Sequence, residues 1–124
     1  MLFRSDGNRT AVNSPACIPD VVSVGATDNP DSGTKGIAYD KKATPVIARY
    51  SNGWSQTDFY LNGRWYVTNL DGTTKFMVGT SNASASMAAW WLLNRKDTFD
   101  ATYTSLVTTP TRNDWLSGRY VALP

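Results

Sequence analysis

Histidine is absent from this 124-residue sequence, and Cys17 is its only cysteine. Those two gaps exclude zinc sites of the His or Cys kind and any disulfide within the chain. They also mean that chemistry needing an imidazole base must take that base from elsewhere. A strong excess of one charge is missing too. Twelve Lys and Arg against ten Asp and Glu leave a formal charge of +2. The basic residues are spread along the chain, which argues against a nucleic-acid groove with its concentrated basic face. No stretch approaches the roughly 18 apolar residues of a membrane span, and the segment from Met1 to Gly7 lacks the apolar core of a signal peptide.

What is present reads as one globular domain or part of one, with five Trp, six Tyr and scattered Gly and Pro. Leu2-Phe3-Arg4-Ser5 reads like translated adapter DNA, and nothing rests on it. The β-branched run from Asp20 to Ala26 follows the turns at Pro15 and Pro19 and predicts a buried, central strand, because Val21, Val22 and Val24 leave no solvent face. Asn29 to Lys42 predicts an exposed loop. Short strands are expected at Val46–Tyr50, Thr57–Leu61, Trp65–Asn69 and Lys75–Val78. Asn52-Gly53, Asn62-Gly63 and Asp71-Gly72 punctuate them as hairpin turns would. From Ser81 to Leu93 apolar residues occupy every side, as in a helix buried inside a larger protein. Asp97 or Asp100 could cap a second helix over Ala101–Val107, and Gly118–Leu123 predicts a last strand. Cys17 fits either a small buried hydrophobe or one end of a disulfide to a partner outside the chain.

Gly79-Thr80-Ser81 joins a glycine turn to the first turn of that apolar helix. Unpaired backbone N–H groups and the positive end of the helix dipole stabilise negative charge there. A serine so placed could attack a carbonyl and hold the oxyanion with its own N–H. Read locally, Thr80 or Ser81 is equally an ordinary N-cap.

Wider context favours the nucleophile. Ser14-Pro15-Ala16-Cys17-Ile18-Pro19 followed by Asp20-Val21-Val22-Ser23-Val24-Gly25-Ala26-Thr27, then Tyr50-Ser51-Asn52, Asp58-Phe59-Tyr60-Leu61-Asn62-Gly63 and Gly79-Thr80-Ser81, occur in order. From about Asp6 to Leu123 this series resembles the C-terminal part of the subtilisin-like serine proteases. The resemblance implies an α/β fold with three layers, a mostly parallel sheet, a buried nucleophile helix and a β-hairpin region. Two departures stand out. The family's Gly-Thr-Ser-Met-Ala-x-Pro-His is Gly-Thr-Ser-Asn-Ala-Ser-Ala-Ser here, losing Pro and a non-catalytic His at Ala85 and Ser86. Ala-Pro-Gly is replaced by Leu61-Asn62-Gly63. Asn82 therefore stands beside the serine in place of Met.

The resemblance implies a secreted serine endopeptidase acting on polypeptides, with Ser81 as nucleophile, Thr80 supporting the oxyanion and Gly79 shaping the turn. In this family the Asp and His of the triad precede the Ser. Both, together with the oxyanion Asn, are then expected in a missing N-terminal half of the same domain, and this chain alone is expected to be inactive. Several family members bind calcium, and the matching groups here are the carbonyls of Pro19 and Val21 and the carboxylate of Asp58. Two other readings compete. One is a secreted β-rich module that binds sugar or peptide on Trp54, Tyr60, Trp65 and Tyr66, and the other is an inactive protease-like scaffold.

Overall fold

The computed structural model describes Ser14 and residues 16–28, 46–52 and 57–108, together with the backbone of 119–120. The expected loop at 29–42, Gly53, Trp54 and the rest of the last segment lie outside the described residues. Strand β1 (Val24–Asp28) is buried at every position. It pairs antiparallel with β2 (Val46–Ile47) and parallel with β3 (Phe59–Asn62), with Val24 opposite Phe59 and Thr27 opposite Asn62. β3 in turn pairs parallel with a two-residue strand, Arg119–Tyr120, numbered β6. The order β2-β1-β3-β6 makes β1 an inner strand, as its valines predict. It starts four residues later than expected because Ser23 N–H is taken by the Asp58 carboxylate at 2.8 Å. Val21 N–H is likewise held in a turn by the carbonyl of Ile18.

The second sheet is the hairpin β4 (Arg64–Thr68) and β5 (Thr74–Val78). Asn69 N–H donates to the Thr73 carbonyl across its turn. Asp71 caps the turn by accepting from the Thr73 hydroxyl and N–H, and these bonds pull its carboxyl below the ordinary range. Asn62-Gly63, by contrast, is no hairpin turn. The strands on either side belong to different sheets, and Asn62 folds onto the junction by accepting from Arg64 N–H and donating to the Arg64 carbonyl.

Helix α1 (Thr80–Leu93) buries Thr80, Ala83, Ser84 and Met87, and α2 (Phe99–Thr108) buries Thr102 and Leu106. Thr98, rather than Asp97 or Asp100, caps α2, with its hydroxyl accepting from Ala101 N–H. Val22, Val24, Ala26, Phe59 and Leu61 form the sheet side of the core. Ala83 and Met87 of α1 and Leu106 of α2 form the other side.

This arrangement corrects the expectation of a mostly parallel, three-layered subtilisin-like fold. One of the three pairings in the larger sheet is antiparallel, and the second sheet is wholly antiparallel. Both helices add to one core cluster, so the described residues build a small mixed α/β domain. Nor is α1 enveloped: Ala85, Ala88, Ala89, Leu92 and Leu93 are exposed. Among the described residues no helix is long and apolar enough to cross a membrane.

The polar interior joins the two sheets. Arg64, at the start of β4, reaches back to Asp28, at the end of β1, through two bonds of 2.9 and 3.1 Å. Asp28 raises the Arg64 pKa further through these bonds. Tyr50 stands near the pair, its hydroxyl buried with no hydrogen-bond partner among the described residues. Burial, reinforced by the Asp28 charge, pushes the phenol pKa well above its ordinary value of about 10. A raised folded pKa gives stability that is complete below about pH 10 and is lost as pH rises further. Tyr50→Phe is therefore expected to move the alkaline limb of the unfolding curve upward. At neutral pH it should stabilise by about 1 kcal/mol, since an unsatisfied buried hydroxyl is removed. Chemical denaturation followed from pH 7 to 11 checks this, and superimposable alkaline limbs would contradict it.

Candidate active site

β5 ends at Val78, and after one linking residue α1 begins, so the chain turns from strand to helix across Gly79. Gly79 is extended (φ 165°, ψ 157°), a conformation open to any residue, so a tight turn is not what requires glycine here. A Cβ on Gly79 would instead crowd the serine, lying 3.0 Å from Ser81 Oγ. Thr80, the first helical residue, is 1% exposed and engaged within the fold. Ser81, the second, is exposed.

Ser81 sits where the motif predicts, at the start of a helix that runs to Leu93. Among the described residues its hydroxyl and its N–H make no hydrogen bond. The ordinary N-cap reading is not met, because the N-cap position belongs to Gly79 and no side chain caps the helix. No acidic side chain occupies the first turn, so the positive end of the helix dipole is not neutralised locally. The result is a solvent-facing hydroxyl beside a free N–H donor, with no histidine in the sequence to take its proton.

Asn82, directly after the serine, is half-buried. Its amide donates to the carbonyls of Gly63 (3.2 Å) and Met77 (3.0 Å). Nothing in the local sequence pattern signals this bond to a residue 19 positions earlier.

Pro19, Val21 and Asp58 come together. They line one cavity of about 550 Å³ with Asp20, Asp100 and Tyr103. Asp58 Oδ2 accepts from Ser23 N–H and Ser23 Oγ, and Oδ1 accepts from the Tyr103 hydroxyl at 2.7 Å. A carboxylate has about four acceptor positions, so three bonds leave room for one more partner. Sequence reading missed Tyr103, whose position on the second helix gives no hint of a bond to Asp58. No cluster of three or more Asp, Glu, Cys or His side chains suited to a metal occurs among the described residues. A cation here would depend on backbone carbonyls.

Cys17 is an exposed free thiol, which corrects the buried-hydrophobe reading. The stacking surface of the binding-module reading does not assemble: Tyr60 is fully buried. Trp65 and Tyr66 are exposed, but as successive residues of β4 they point to opposite faces. Trp54 lies outside the described residues. No protein-family model, no curated protein and no solved structure matches this chain.

Proposed function

We propose that this chain carries the nucleophile of a secreted serine endopeptidase related to the subtilisin-like proteases. The observation that carries the reading is the exposed, unbonded Ser81 hydroxyl beside its own free N–H at the start of α1. In the reaction, a histidine from polypeptide outside this chain removes the Ser81 Oγ proton as Oγ bonds to the substrate's peptide carbonyl carbon. The carbonyl oxygen becomes an oxyanion and accepts from Ser81 N–H. Collapse breaks the C–N bond, and the histidine returns its proton to the leaving amine. Water then attacks the Ser81 ester with the same histidine as base, releasing the acid and restoring the hydroxyl. Thr80, packed beneath the surface, holds the start of the helix, and support of the oxyanion by its hydroxyl belongs to the same proposal.

Calcium is a further part of the reading. The Pro19 and Val21 carbonyls and the remaining acceptor position of Asp58 would hold it, with water completing a shell of oxygen ligands. It would brace the segment before β1 and take no part in bond making. The test of the nucleophile is covalent capture. A fluorophosphonate should label Ser81 once the chain is joined to a polypeptide supplying the Asp and His partners, and an adduct on any other residue would count against Ser81.

A further inference from the structure

We infer that Asn82 is a positioning residue for Ser81, because it and Gly79 tie both sides of the serine to one carbonyl, that of Gly63. This inference rests on the proposed role of Ser81. Gly79 N–H donates to the Gly63 carbonyl at 2.9 Å and the Asn82 side-chain amide donates to the same oxygen at 3.2 Å. The amide's second bond, to the Met77 carbonyl at 3.0 Å, adds the end of β5 to the tie. Three segments are therefore joined through the Gly63 carbonyl and the Asn82 amide: the β3–β4 junction, the last residues of β5 and the first turn of α1.

The anchor itself is fixed by close packing. A Cβ on Gly63 would lie 2.7 Å from Ala26 Cβ and would also collide with the Tyr50 hydroxyl. Only glycine lets this junction press onto β1. With Gly79, two residues before it, and Asn82, the residue after it, bound to that carbonyl, the backbone around Ser81 is restrained on both sides. That matters for catalysis because displacing a reacting group by about 1 Å can cost about 10²-fold in rate. A methionine side chain at this position has no donor, so the side-chain tie belongs to this sequence rather than to the family's motif.

The tie can be tested on the chain as it exists, without activity. In a Cys17→Ser background, Ser81→Cys places a thiol at the site, and its rate of alkylation by iodoacetamide is followed from pH 5 to 10. A thiol held at a helix N-terminus has its pKa lowered from about 8.5 to about 7.5 or below. Adding Asn82→Leu, of similar volume but with no donor, is expected to return the midpoint toward 8.5 while circular dichroism shows the helices intact. A depressed midpoint unchanged by Asn82→Leu would overturn the positioning role and leave Ser81 standing. An ordinary midpoint with Asn82 present would overturn both. If Asn82→Leu fails to fold, amide exchange in the unsubstituted chain decides: Gly79 N–H is expected to be protected, and free exchange there would contradict the tie.

Discussion

Replacing Arg64 by leucine is expected to destabilise the domain by about 3–5 kcal/mol, since it strips both guanidinium bonds from the buried Asp28 carboxylate. Asp28 is 2% exposed and Arg64 8%, and the guanidinium meets the carboxylate through both Nε and Nη2. The same guanidinium lies 5.5 Å from the centre of the Phe76 ring, so it also anchors the hairpin. Against a total stability on the order of 5–15 kcal/mol for a domain, such a loss would leave much of the protein unfolded in mild denaturant. Adding Asp28→Asn to Arg64→Leu should recover part of it, because the buried negative charge that loses the guanidinium is then gone. Urea denaturation of the two single variants and the double variant measures this. A loss below about 1 kcal/mol for Arg64→Leu would put the pair with solvent-exposed bridges instead.

No cleavage of any peptide is the expected behaviour of the chain on its own. A serine hydroxyl at neutral pH is a weak nucleophile until a positioned base takes its proton, and the sequence contains no histidine. Removing the serine or its histidine from a triad costs about 10⁶-fold in kcat. The bare chain should therefore match a no-protein control in a fluorogenic peptide assay, and a fluorophosphonate should leave it unlabelled. Turnover by the bare chain that survives Ser81→Ala would place the chemistry at another residue.

How far the sequence anticipates these features depends on the range of the interaction. The strand-to-helix turn at 79–81 is local, since small and helix-forming residues follow the glycine at once, and the helix begins where that pattern begins. The inner position of β1 is anticipated by the β-branched run of Val21, Val22 and Val24, although the strand itself begins only at Val24. Thr98, directly before Phe99, caps the second helix, a role the sequence reading gives to the aspartates on either side. Long-range pairings leave no such trace. Asp28 and Arg64 are 36 residues apart, and the second helix shows no sign that Tyr103 will bond Asp58.

Asn62-Gly63 has the composition of a hairpin turn, yet the strands beside it pair with different partners, a choice made by β1 and β5 and not by the dipeptide. The apolar pattern of α1 likewise states a demand for burial without saying which element meets it. Within the described residues only the side bearing Ala83 and Met87 is covered. The proposed site divides in the same way. Ser81 is legible from its turn, whereas Asn82's tie to Gly63 follows from how the hairpin returns to the helix.

The most direct test of Ser81 as nucleophile is peptide hydrolysis by the chain joined to a polypeptide supplying the Asp and His partners, with Ser81 intact and with Ser81→Ala. The account predicts measurable turnover in the first protein and a fall on the order of 10⁶-fold in kcat in the second. Equal turnover in the two proteins would contradict it.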